Sequence, residues 1–131
     1  VVFESPLNML CDSPSNYSKE TECMEFISAV PTVWDETRAL CGEVGKYIAM
    51  ARRSGEEWYA GGMTDWNERT LTLDLSFLPQ GAYAVELYRD GVNADRRASD
   101  YKKEVFDLPL NGLLKVKMAP GGGFAAKIVK K

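Results

Sequence analysis

Arg69-Thr70-Leu71-Thr72-Leu73-Asp74-Leu75-Ser76-Phe77 alternates apolar and polar residues without a break. Successive side chains of a strand point to opposite faces, so Leu71, Leu73, Leu75 and Phe77 share one side and Thr70, Thr72, Asp74 and Ser76 the other. That is a strand in a sheet with one buried face. Leu114, Val116 and Met118 alternate with Lys115 and Lys117 in the same way. Outward from these two segments, strand-like stretches occupy 37–41, 46–53, 57–63, 82–89, 101–106 and 123–129, about eight strands in all. Turn pairs separate them: Cys41-Gly42, Ser54-Gly55, Gln80-Gly81, Asp90-Gly91 and Asn111-Gly112. Glycine and asparagine tolerate the positive φ that tight hairpins require. Strands at roughly 8–12-residue spacing with such turns predict a mainly β protein built as an antiparallel β-sandwich, with a closed barrel as the alternative.

The character changes at Pro31, which divides the chain into a helical stub, 1–31, and a sandwich, 32–131. Ser5-Pro6 reads as a helix start, since serine caps free N–H groups and proline suits the first helical position. Leu7, Leu10 and Cys11 then share a helical face, and 12–16 reads as a turn or loop. A second helix is expected from near Ser18 to about Ala29, with Cys23, Phe26, Ile27 and Val30 on one side. Proline disfavours helix at the residue before it, so Pro31 ends this segment. The short two-helix N-terminal stub cannot bury its apolar stripes by itself. It must pack on the β domain or on a neighbour outside the chain.

At 131 residues the chain is long enough for one real core, and its 45% hydrophobic and 27% charged content is that of a globular protein. The net charge of −3 is scattered, with no basic block to track a phosphate backbone, so nucleic acid is not an expected partner. No apolar run approaches the roughly 20 residues of a membrane span. Val1-Val2-Phe3-Glu4 carries neither the charged start nor the cleavage site of a signal peptide. Cys11, Cys23 and Cys41 show no CxxC spacing and read as buried or half-buried thiols; a Cys11–Cys23 bridge is a bare alternative.

With no histidine, Ser-His-Asp and Cys-His catalysis are excluded, and so are the commonest metal ligand and general base. Asp35-Glu36 and Glu56-Glu57 are adjacent pairs, and adjacent strand residues point to opposite faces, so neither converges on one bond. Pro120-Gly121-Gly122-Gly123 precedes a strand and lacks the lysine of a phosphate loop, and so reads as a turn feeding the last strand into the sheet. Asp65, Asn67 and Glu68 bring oxygens together without EF-hand spacing, and a polar hairpin loop explains them equally well. No catalytic and no metal-ligating residue is therefore expected here. The aromatic residues carry the one binding reading. Flat rings on a sandwich face stack on sugars, which makes Trp66, Trp58 and Tyr59 candidate carbohydrate-binding residues. The structural alternative places Trp58 in the core, Trp34 as the pin between stub and sheet, and Trp66 in an exposed turn.

Taken in order, these segments resemble a known family. Glu4-Ser5-Pro6-Leu7, Met9-Leu10-Cys11-Asp12-Ser13-Pro14 and Asn16-Tyr17 are similar to the end of the catalytic barrel in glycoside hydrolase family 97. Phe26-Ile27 and Val30-Pro31-Thr32-Val33-Trp34-Asp35-Glu36-Thr37 resemble that family's junction into its C-terminal domain. Gly42-Glu43-Val44-Gly45-Lys46-Tyr47, Ala51-Arg52-Arg53, Gly55, Trp58-Tyr59 and Gly61 resemble the domain's first strands. Leu73, Leu75-Ser76-Phe77-Leu78, Tyr88, Asp90-Gly91 and Ala119-Pro120-Gly121-Gly122-Gly123-Phe124 continue the likeness. The resemblance implies a larger parent: an N-terminal super-sandwich, a (β/α)8 barrel and a C-terminal β-sandwich. It implies cleavage of α-glucosides or α-galactosides, dependence on calcium in the parent, and export to the bacterial periplasm. It also implies that the catalytic carboxylates and calcium ligands lie in the barrel, with none at a position of this sequence. The expected partner is then the barrel of the same polypeptide, which the sandwich supports from the side or below. An oligosaccharide bound by exposed aromatics, and an oligomer formed through sandwich edges, are the alternatives.

Overall fold

The computed structural model describes residues 1–5 and 9–131. Two short helices, α1 (Pro14–Tyr17) and α2 (Thr21–Ala29), precede eight strands. These are β1 (Glu36–Glu43), β2 (Tyr47–Ser54), β3 (Glu57–Thr64), β4 (Arg69–Asp74), β5 (Tyr83–Asp90), β6 (Tyr101–Asp107), β7 (Leu113–Met118) and β8 (Gly123–Lys130). Six strands form one sheet in the order β1-β2-β3-β8-β5-β6, and β4 and β7 form a separate ribbon. Every pairing is antiparallel. With β1 and β6 as free edges, the arrangement is the sandwich and not the closed barrel.

The core lies between the ribbon and the inner face of the large sheet. Leu71, Leu73, Leu114, Val116 and Met118 of the ribbon meet Ala49, Ala51, Trp58, Ala60, Val85, Leu87, Ala126 and Ile128. The period-two reading of 69–77 holds for the packing but not for the strand. Leu75 is 1% exposed and Phe77 packs on Trp58 at 4.9 Å, yet β4 stops at Asp74. The Asp74 carboxylate accepts the Ser76 N–H at 2.9 Å, and Leu78 N–H bonds back to Leu75 O at 3.0 Å, which turns the chain.

Three expectations need correction. Cys41-Gly42 is not a turn: β1 runs on to Glu43, and the hairpin loop is 44–46, with Gly45 at φ 77°. A bulge between Ala39 and Cys41 shifts the register, and a side chain at Gly42 would meet Tyr47 O at 3.2 Å, so this glycine serves close strand approach. In the stub, Pro6, Leu7 and Asn8 lie outside the described residues, while Leu10 and Cys11 are exposed and not helical. Helix α1 occupies 14–17 instead, within what reads as a loop. A second Ser-Pro pair, Ser13-Pro14, starts it, and the Asp12 carboxylate accepts Ser13 N–H at 2.6 Å and Asn16 Nδ2 at 2.9 Å. Ser18 closes α1 by donating to Pro14 O at 2.8 Å, so α2 begins three residues later than expected. Val30, before Pro31, is extended at φ −68°, ψ 120°.

The large sheet is covered on its other face too. Helix α2 and residues 1–4 lie across it, which explains why β3 is a continuous buried run from Trp58 to Gly62 and not an alternation.

Candidate functional site

Of the residues singled out in sequence, the outer face of the large sheet carries Tyr59 and Glu57, with Trp34 beside them. Tyr59 on β3 and Tyr88 on β5 stand on this face with Phe26 of α2 between them, at ring distances of 6.3 and 5.2 Å. Trp34 closes one side of the cluster, 5.5 Å from Tyr59, and so pins the stub to the sheet. Each tyrosine also holds the helix backbone. The Tyr59 hydroxyl lies 3.0 Å from Ala29 O and 2.6 Å from the Glu57 carboxylate, sharing one proton between them. The Tyr88 hydroxyl lies 3.2 Å from Glu22 O and 2.7 Å from Glu86. Lys127 pairs with Glu57 at 2.8 Å, and Lys103 bridges Glu86 and Glu25 of α2, both at 2.8 Å.

The electrostatics follow from these contacts. Burial first, and then the Glu57 carboxylate, push the Tyr59 hydroxyl well above the ordinary tyrosine range. Burial and then Glu86 push Tyr88 up to about 12. Glu57 is held low by hydrogen bonds from Lys127 and then Tyr59, and Glu86 by Lys103 and then Tyr88. These are neutral phenols and ionised carboxylates in a latch, with no proton poised near neutrality for acid-base work.

Residues 1–4 are fixed by Arg52, which is 4% exposed. Its Nε donates to Val1 O at 2.6 Å, its Nη1 to Thr37 Oγ1 at 2.7 Å and Glu4 at 2.6 Å, and its Nη2 to Val2 O at 3.3 Å. Gly61 leaves room beneath, since a side chain there would meet Val1 Cβ at 3.1 Å. This clamp joins residues about 50 positions apart, which no local pattern announces. Only the place of the arginine is signalled: the alternation Ile48, Met50, Arg52 puts it at the end of an apolar row on the outer face.

The candidate sugar residues part company. Trp58 is in the core at 4% exposure, and Tyr59 lies under α2 at 1%, so neither offers a ring face to a ligand. Trp66 is 86% exposed in the β3–β4 turn. The other constellations are engaged structurally. Glu36 is bonded by Arg38 at 2.6 Å, and Asp35 accepts Gly55 N–H at 2.7 Å. Asp65 accepts from Asn67 N–H at 3.0 Å and from Arg69 at 3.2 Å, while Glu68 pairs with Lys117 at 2.8 Å. Among the described residues no group of three or more His, Cys, Asp or Glu side chains comes together. The glycine-rich stretch is the β7–β8 turn, with Gly121 at φ 70° and the Asp90 carboxylate accepting Ala119 and Gly123 N–H at 2.8 and 3.0 Å. Cys11, Cys23 and Cys41 are free thiols; burial pushes Cys41 up, away from reactivity.

Comparison with known proteins agrees with this geometry. Residues 33–129 match the family model described as Glycosyl-hydrolase 97 C-terminal, oligomerisation. A retaining alpha-galactosidase of Bacteroides thetaiotaomicron is 56% identical over 128 residues, covering 98% of this chain and 19% of that protein. A probable retaining alpha-galactosidase of Streptomyces bingchenggensis is 30% identical over 126 residues, again with 19% of its length covered. A glycoside hydrolase family 97 enzyme from Pseudoalteromonas sp. strain K8, solved with panose, superposes on the whole chain with TM-score 0.93 at 35% identity, over 21% of its own length. A β-arabinopyranosidase crystal structure gives TM-score 0.77 at 30% identity, covering 95% of this chain and 19% of that one. The chain thus spans about one fifth of the length of the relatives it matches. It belongs to the C-terminal domain family of glycoside hydrolase family 97.

Proposed function

We propose that this domain is the non-catalytic C-terminal sandwich of an enzyme acting on α-galactosides or α-glucosides, and that it supports the catalytic barrel of the same polypeptide. The names of the two curated relatives favour the galactoside. The carrying observation is the double-covered sheet. The residues that lead into the sandwich are locked to its outer face by Arg52, Tyr59 and Tyr88, while the carboxylates there are engaged by lysines and tyrosines. Catalytic carboxylates, the calcium and export to the periplasm belong, on this reading, to the rest of the parent. Removal of residues 33–131 from the full-length enzyme should give insoluble or thermally unstable protein. A soluble, fully active deletion variant would overturn the reading.

The family description adds oligomerisation, for which the edge strands β1 and β6 of the large sheet and the outer edges of β4 and β7 in the ribbon offer backbone surfaces. Light scattering of the full-length enzyme tests it, and a monomer at all concentrations speaks against it. A second reading, a carbohydrate-binding module, rests on the exposed Trp66 ring alone. It predicts saturable binding of α-linked oligosaccharides, lost in Trp66→Ala.

A further inference from the structure

Exposed apolar side chains on this domain are not evenly scattered. Phe3, Leu10, Ile27, Met63 and Trp66, from five separate segments, border one open groove of about 1100 Å³ at the end of the outer sheet face. Single exposed apolar residues are ordinary, but a gathered set marks an interaction surface.

Trp66 is the most exposed large ring of the set and is held rigidly. Asp65, before it, takes bonds from Asn67 and Arg69, and Arg69 lies 4.9 Å over the Tyr47 ring. Its back rests on Gly121, where a side chain would come within 2.9 Å of the indole, and Gly121 N–H bonds to Asp65 O at 2.7 Å. The Cζ3 and Cε3 atoms of the indole thus lie over Gly121 while most of the ring is bare. A large aromatic held in place without conformational cost is the kind of residue that anchors interfaces.

From this arrangement we infer that the groove seats the preceding part of the same polypeptide, with Trp66 as its anchor. This rests on the reading of the domain as a support for the catalytic barrel. Val1 and Val2 line the groove, so chain leading into Val1 arrives there already tethered, at high effective concentration. The four-fifths of the relatives' length that this chain does not span is ample to fill it. The groove is poorly suited to a sugar. Its Asp90 carboxylate is committed to two backbone amides, Thr64 Oγ1 is engaged by Asn67 O and Arg69, and the Asp95 and Arg96 side chains, 3.7 Å apart, are paired with each other, which leaves Thr32 as the remaining polar side chain of a mainly apolar lining.

The test is hydroxyl-radical footprinting of the full-length enzyme, read at Trp66 against Leu110, which is fully exposed at the far end of the ribbon. Trp66 should be strongly protected and Leu110 not. Trp66→Ala should raise the rate of limited proteolysis around residues 1–5 by about 30-fold, as expected for loss of an interface anchor when cleavage follows the open population. Trp66→Phe should restore most of the resistance, and Leu110→Ala should change nothing. Rapid oxidation of Trp66 in the resting enzyme overturns the inference. So does protection that disappears on dilution, which assigns the groove to a second copy, or protection that requires an added α-galactoside, which assigns it to sugar. If the enzyme lacking 33–131 is insoluble but Trp66 oxidises freely, the supporting role stands and only the groove assignment falls.

Discussion

Arg52→Met tests the clamp that joins residues 1–4 to the sheet. Methionine keeps most of the buried stem but donates no hydrogen bond. The four acceptors are not equal. Glu4 is 57% exposed, so water replaces the lost ion pair for under about 1 kcal/mol. Thr37 is also exposed and rehydrates. The loss falls mainly on the Val1 and Val2 carbonyls, half-buried over Gly61, of which the 2.6 Å bond to Val1 is the stronger. A charge-assisted bond carries about 1.5–3 kcal/mol, so the total should be about 3 kcal/mol. For 131 residues the unfolding entropy near the midpoint is roughly 0.28 kcal/mol/K, which makes the expected fall in Tm about 10 °C. Calorimetry measures that fall, and hydrogen exchange should show protection lost first in β2 and β3, beneath residues 1–4. Arg52→Lys keeps a charge without the fork and should lose about half as much. Glu4→Gln, removing only the exposed partner, should cost under about 0.5 kcal/mol. A Tm for Arg52→Met within about 2 °C of the native value would refute the clamp, and a Glu4→Gln effect as large as that of Arg52→Met would refute the ranking of its partners.

Three further outcomes follow from the packing. Gly62→Ala would drive a methyl into the Phe124 ring and to within 2.9 Å of Ile48 O, and should cost about 1–3 kcal/mol in a urea melt; an unchanged midpoint would contradict the tight β3–β8 approach. Tyr88 has its pKa raised from 10 to about 12, chiefly by burial, so its contribution to stability is intact below pH 10 and is lost as pH rises toward about 12; Tyr88→Phe should flatten that alkaline loss, and an identical slope in both proteins would argue against the buried phenol. Glu104 is held down to about 2 by Arg89 and then Lys102, so its contribution is present above pH 4.5 and is lost as pH falls toward about 2; Glu104→Gln should reduce the acid sensitivity of the denaturant midpoint, and no change would show the pair contributes nothing.

What was legible in the sequence follows from the range of the interactions. Period two in 69–77 and 113–118 is local, and it placed the ribbon's buried face correctly, even past the end of β4. The helix starts are less secure because Ser5-Pro6 and Ser13-Pro14 offer the same capping signal; Pro6 lies outside the described residues, and at the second pair the Asp12 carboxylate accepts the Ser13 N–H while the Ser13 hydroxyl makes no cap bond. Gly42 and Gly45 are likewise ambiguous: both permit a turn, but only Gly45 takes positive φ, while Gly42 lets the strands close up. Tyr59 read as a sugar candidate because its surroundings are assembled from Phe26 and Ala29, some 30 residues away. A local hint did exist. Trp58-Tyr59-Ala60-Gly61-Gly62 does not alternate, and an unbroken apolar run argues for burial on both faces and against an open aromatic platform.

That double burial changes what the stub is for. The family match begins at residue 33, yet the outer face of the sheet is finished by residues 1–4 and α2. A cut at 32 would bare the rings of Tyr59 and Tyr88 and strip their hydroxyls of the Ala29 and Glu22 carbonyls. It would also leave the Arg52 guanidinium without three of its four acceptors. The apolar stripe of α2 is met by the sandwich only in part: Phe26 packs half-buried on Tyr59 and Tyr88, while Ile27 stays 39% exposed. The unsatisfied apolar surface lies beyond it, where Ile27, Phe3 and Trp66 converge on the groove. Helix α2 and residues 1–4 are therefore a third layer of the sandwich, and Ile27 carries the demand for a further partner from that layer into the groove.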